Sequence, residues 1–227
     1  MSWGFELIDV SKQDHGRPLL DGVNLGARLG QVTAVVGPAP AATQLFRLAA
    51  GLDRPDTGAV LVAGKDIGRL RGGARKRVQR RMSVVFSGPD AALFAKLTVR
   101  ENVEFGMRAA GRVPARRLSA VAREELDRFG LAQVADARPD ALQPGQRRCL
   151  ALARALALRA PLVLVDGLDE GLEPDTLRRV CAIVREEHRA RSGTWLVTVR
   201  DPAVAELVAD EVVELGHSAP SSAVMRR

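Results

Sequence analysis

The sequence predicts an α/β fold, a mostly parallel sheet covered by helices on both faces. Apolar, β-branched runs recur at 31–37, 82–86, 162–165 and 195–199. Unbroken apolar runs of this length suit strands buried on both faces. Segments with helical periodicity lie between them, the pattern of strand–helix–strand units. The 227 residues, 46% of them hydrophobic, are enough for one domain with a sizeable core and a subdomain.

Taken in order, residues 5–10 alternate like a half-buried strand, and 22–25 begin another. Residues 31–37 form a buried strand that ends in Gly37. Residues 43–50 are helical in composition and stop at Gly51. A short strand at 60–62 precedes a turn at Ala63 and Gly64, and 82–86 is the next buried strand. Helical periodicity covers 118–129. A stronger helix at 146–158 is introduced by Pro144 and Gly145. The strand 162–165 is closed by Asp166, and 175–189 is helical with Asp175 near its start. Residues 195–199 and 212–215 are the last strands. Residues 218–227 are small and polar, so they are expected to be a disordered tail. There is no internal repeat.

Composition removes several function classes. No run of about 18 apolar residues exists to span a membrane as a helix. The segment 1–6 lacks the basic and apolar regions of a secretory signal. Cys149 and Cys181, the two cysteines, sit in apolar helical patterns, which disfavours a disulfide framework and favours a cytosolic location. His15 and His217 are far from both in sequence, and His188, seven positions from Cys181, makes no zinc-ligand spacing with it, which argues against zinc. The net charge of +7 raises nucleic acid or an anionic membrane face as partners. The densest basic stretch, 69–81, reads better as a solvated helix face. No aromatic residues interleave with it and the chain has no Tyr, so nucleic acid is not expected.

Residues 35–45 (VVGPAPAATQL) look like a phosphate-binding loop without its lysine. Such a loop needs G-x-x-x-x-G-K-[ST]. Its glycines let backbone N–H groups approach phosphate, and the lysine supplies a point charge. Gly37 is the first glycine, but neither Gly nor Lys occurs between Pro38 and Ala50. Pro38 and Pro40 also lack N–H donors. A helix beginning near Ala42 would still offer its N-terminus to an anion. Thr43 could offer a hydroxyl to magnesium.

Further strings follow in fixed order: 51–58 (GLDRPDTG), 97–103 (LTVRENV), 150–156 (LALARAL), 162–166 (LVLVD) and 170–174 (EGLEP). Together they resemble the ATP-binding subunits of ABC transporters over nearly the whole chain. Residues 92–94 (ALF), 97–105 and 171–174 are also similar to the ATPases of lipid importers that work with Mce-domain proteins. The resemblance implies a P-loop NTPase-type core with an N-terminal antiparallel β subdomain and an inserted α-helical subdomain. The core would be 1–86 and 160–217, the helical and signature subdomain 87–159, and the tail 218–227. It also implies ATP and Mg as cofactors and a dimer that sandwiches two nucleotides, formed with itself or with another ABC ATPase. A membrane permease would dock near 87–106, which places the chain in the cytoplasm, peripheral on the inner face of the cell membrane.

The same resemblance assigns roles position by position, and most are altered. The nucleotide-binding positions of the loop are Gly37, Ala41, Ala42, Thr43 and Gln44. Counting back from Gly51 puts Ala42 at the lysine position, and counting forward from Gly37 puts Thr43 there. Ser87 stands for the Q-loop glutamine, so Thr43, Ser87 and Asp166 are the candidate magnesium ligands. The signature motif reads Leu142-Gln143-Pro144-Gly145-Gln146, and Gln143, Gly145 and Gln146 would face the partner's nucleotide. Gln143 replaces the γ-phosphate serine, and Pro144 replaces a glycine N–H. Gly167 stands where the catalytic glutamate belongs, with Asp169 and Glu170 two and three residues too late. Arg200 replaces the H-loop histidine, and a guanidinium does not do a neutral imidazole's work. The adenine-stacking aromatic falls near Gln13 or Asp14. No catalytic residue is intact, so the resemblance implies a structural or regulatory pseudo-ATPase in a transporter. The alternatives are an active, atypical transporter ATPase and a scaffold with no transport role.

Overall fold

A computed structural model describes residues 3–88, 93–111, 113–216 and 224–226. Strands β1 (Trp3–Asp14) and β2 (Arg17–Arg28) form an antiparallel hairpin that turns through His15 and Gly16, both at positive φ. Both are longer than the sequence suggested. The expected strand at 22–25 is the middle of β2, because backbone pairing carries the hairpin past its apolar part to the exposed Asp14 and Arg17. Then come β3 (Val32–Val36), α1 (Ala39–Ala49), β4 (Thr57–Val62) and β5 (Lys65–Asp66). Helix α2 (Gly72–Gln79) lies within the basic stretch 69–81 that reads as a solvated helix face; Val78 is its one buried residue, so no apolar period marks it. Strand β6 (Met82–Val85) is followed by α3 (Val99–Ala110), α4 (Leu118–Arg128) and α5 (Pro144–Ala157). The chain continues with β7 (Leu162–Val165), α6 (Pro174–Arg191), β8 (Thr194–Val199), α7 (Pro202–Val208) and β9 (Glu211–Glu214).

Two sheets result. One is antiparallel in the order β2-β1-β4-β5. In the other, β9-β3-β8-β7-β6 run parallel, and β10 (Val224–Arg226) adds antiparallel to the β9 edge. This strand falls within the expected tail 218–227. An edge strand offers unpaired N–H and C=O groups to any backbone, whatever its composition. Residues 218–223 and 227, like Ala92 of the lipid-importer string, lie outside the described residues.

Alternation along the parallel strands divides the core. Val163, Val165, Val197 and Val199 face a layer built by α3 to α7. Leu162, Leu164 and Leu196 face α1 and the antiparallel sheet, where Phe5, Leu45 and Phe46 are buried. Both faces of the sheet are covered, which is why its strands read as unbroken apolar runs. Cys149 and Cys181 are buried free thiols, and burial pushes the Cys149 thiol up to about 11, leaving it unreactive near neutral pH. Among the described residues, no helix is long and apolar enough to cross a membrane.

The string 97–103 has a structural job. Thr98 caps α3 and forms a capping box with Glu101. The fully buried Asn102 accepts from the Phe94 N–H at 2.8 Å and donates to the carbonyls of Phe94, Leu97 and Thr98 at 2.9–3.1 Å. Asn102→Ala strands these groups and is expected to cost about 2–3 kcal/mol. Urea denaturation checks this, and an unchanged midpoint would refute it.

Candidate functional site

An open cleft of about 410 Å³ lies at the carboxyl ends of β3, β6, β7 and β8, against the start of α1 and the β1–β2 turn. Parallel α/β sheets place ligands at this edge. Gly37, Ala42, Thr43, Gln44, Ser87, Asp166, Gly167 and Arg200 all line it, together with Asp14, Glu170 and Thr198. The structure thus gathers most of the predicted positions. Ala41 is not among the lining residues.

The expected phosphate loop is not formed. Only Gly37 and Pro38 separate β3 from α1, which starts at Ala39 rather than near Ala42. Pro38 is the N-cap, and Pro40 sits in the first turn, where a missing N–H costs the helix nothing. The alanines favour continued helix. The Ala42 N–H is already bonded to the Pro38 carbonyl at 3.0 Å. The first turn therefore leaves only the N–H groups of Ala39 and Ala41 for an anion. Gly37 also has a structural reason: a Cβ there would lie 2.7 Å from the Leu215 Cβ. Gln44 lines the cleft, and its amide donates to Asp53 at 3.2 Å. Arg47 pairs with the same carboxylate at 2.7 Å.

Asp166 is buried and ties three elements together. It accepts from the hydroxyls of Thr43 at 3.1 Å and Thr198 at 2.8 Å, and Thr198 in turn accepts from the Gly167 N–H at 2.7 Å. Thr43 and Asp166, with Ser87 on the same wall, are hard oxygen donors that fit a magnesium ion. Among the described residues, no group of three or more His, Cys, Asp or Glu could hold a metal. A triphosphate does not fit. Among the described residues, Asp14, Asp166 and Glu170 line the cleft against Arg200 as its one cation, so its charge is of the wrong sign for a polyanion.

The acids after β7 are engaged. Asp169 accepts from the N–H groups of Arg200 and Asp201, each at 2.9 Å. The Glu170 carboxylate pairs with the Arg200 guanidinium at 3.1 Å. Gly167 has φ of +63°, and a Cβ there would meet Glu170 Oε2 at 2.9 Å. Gln143, Gly145 and Gln146 sit apart from the cleft, at the start of α5. Gln143 is the exposed N-cap, Pro144 the first helical residue, and the Gln146 side chain accepts from the Gln143 N–H at 2.9 Å.

Sequence reasoning missed Arg148. It is buried on α5 and donates to the carbonyls of Phe86 and Asp166, and to that of Gly167 at 2.7 Å. Burial lowers its pKa, while Glu170, Asp166 and Asp169 pull the other way. Its spacing from Leu152 and Ala155, on the buried face of the helix, was the available signal.

Residues 20–169 match the family described as ABC transporter. The chain is 34% identical over 207 residues to a methionine import ATP-binding protein, MetN, of Mesorhizobium japonicum, covering 91% of this chain and 56% of that protein. It is 37% identical over 207 residues to the Fe(3+) ions import ATP-binding protein FbpC 2 of Rhodococcus jostii, covering 89% and 57%. The chain thus spans little more than half the length of these relatives. The dimeric bacterial ABC transporter cassette MJ0796 superposes with a TM-score of 0.84 at 24% identity, covering 93% of this chain and 94% of that one. That likeness is one of fold.

Proposed function

Because the chain belongs to the ABC transporter family of ATP-binding proteins, we propose that it is a cassette subunit of a membrane importer whose own nucleotide site no longer hydrolyses ATP. One observation carries this reading: α1 begins at Ala39, so the backbone that would cradle phosphate is wound into helix. The missing lysine and the excess of carboxylates support it. Magnesium, where bound, would shield phosphate charge, and Thr43, Ser87 and Asp166 are the residues to hold it. Of these, Asp166 already serves as a structural tie.

The subunit docks on a permease through the surface 87–106. Phe94 and Phe105 are exposed there and stack edge to face, with ring centres 4.6 Å apart. Exposed aromatic pairs are typical anchors of protein interfaces. The subunit works at the cytoplasmic face of the membrane, paired with an ATP-hydrolysing cassette, since its own loop has no lysine and is wound into helix; its signature turn, with a proline where an N–H donor is needed, serves the partner's nucleotide poorly. An active, atypical ATPase is the second reading, favoured by the Glu170 carboxylate reaching the side of Gly167.

The test is Mg-ATP binding and hydrolysis by the purified protein. The expected result is no binding at about millimolar nucleotide and turnover at background, since each missing catalytic group costs a factor of about 10² or more. Sustained turnover would overturn the reading and favour the second.

A further inference from the structure

Donors from two parts of the chain meet on the two oxygens of one carboxylate in the cleft. The Arg200 guanidinium, at the end of β8, lies 3.1 Å from Glu170 Oε1. The Gly88 N–H, beyond β6, donates to Glu170 Oε2 at 3.3 Å. Position 167 supplies the space, because Gly167 has no side chain and any Cβ there would press on the same oxygen at 2.9 Å. The turn that carries Glu170 is closed by its N–H bonding to the Gly167 carbonyl at 2.9 Å. The two neighbouring acids are committed elsewhere, Asp166 to two threonine hydroxyls and Asp169 to two backbone N–H groups. Among the described residues, Glu170 is therefore the carboxylate that meets the one cation lining the cleft.

A guanidinium and a backbone N–H aimed at the two oxygens of one group are the donor set of an oxyanion site. Here the protein's own carboxylate fills it. We propose that Glu170 is a built-in counter-anion, which neutralises Arg200 and keeps the phosphate groups of an external ligand out of the cleft. The inference rests on reading this cleft as a degenerate nucleotide site. The pair is partly solvated, with side-chain exposures of 60% for Arg200 and 26% for Glu170. It excludes by competition rather than by a steric wall, so removing the carboxylate should free the donors.

The experiment measures inorganic phosphate binding by calorimetry at low ionic strength. It compares the full chain with Glu170→Ala, Glu170→Gln and the double variant Glu170→Ala/Arg200→Ala, each first checked for an intact melting transition. Both single variants are expected to bind phosphate at least about tenfold more tightly than the unmodified chain, which corresponds to about 1.4 kcal/mol. Salt should weaken the gain, and the double variant should lose it. Unchanged affinity in both single variants, or a gain that survives loss of Arg200, would overturn the proposal. Mg-ATP hydrolysis is followed on the same samples. Turnover by the unmodified chain would overturn the pseudo-ATPase reading. An unmodified chain silent toward Mg-ATP, with phosphate affinity unchanged in the variants, would overturn the counter-anion alone.

Discussion

Arg148→Ala is expected to destabilise the protein by about 3–5 kcal/mol. The guanidinium is buried and joins α5 to the ends of β6 and β7 through the carbonyls of Phe86, Asp166 and Gly167. Alanine leaves those acceptors without their fork of donors, and it removes the cation that faces Asp166, Asp169 and Glu170. Arg148→Lys keeps the charge, but an ammonium cannot span carbonyls on two strands as a planar fork does. It should recover roughly half the loss. Urea unfolding of the three proteins measures both effects. A shift below about 1 kcal/mol for the alanine variant would mean that the tie is dispensable.

Gly167→Glu, which puts the family's glutamate back, is expected to fail twice. It should lose about 2–3 kcal/mol of stability and gain no turnover. Gly167 sits at φ of +63°, where a side chain is strained, and the new Cβ would lie 2.9 Å from Glu170 Oε2 and 3.3 Å from Glu170 Cβ. Adding Glu170→Ala relieves the contact and should recover part of the stability. Turnover should remain at background even then, because among the described residues no lysine lines the cleft and α1 still starts at Ala39. Phosphate release and thermal melting on the single and double variants check this. ATP hydrolysis restored by Gly167→Glu alone would show that the base was the one missing part.

Particular residues show how far the sequence could be read. The strand at 162–165 was located to the residue, because burial on both faces writes itself as an unbroken apolar run. Thr43, Ser87, Asp166 and Arg200 were all named in advance, and all four line one cleft. The start of α1 was not legible. A phosphate-loop pattern and a helix written in alanine and proline share the same letters until the Ala42 N–H is seen bonded to Pro38. Helix α2 carries too little apolar surface to leave a period, and β10 exists through an edge strand rather than through its own composition.

Local chemistry, then, was legible in the sequence: which runs are buried and, through the resemblance to ABC ATPases, that other residues stand where that family has a lysine, a glutamate and a histidine. These follow from residue type and spacing, which a chain carries whether folded or not. Tertiary structure alone decided where the remaining charges point. Glu170 and Arg200 are thirty positions apart, and Arg148 and Gly167 nineteen. Ion pairs and buried hydrogen bonds depend on distance and solvation. Both are set only when strand ends from separate parts of the chain are packed side by side.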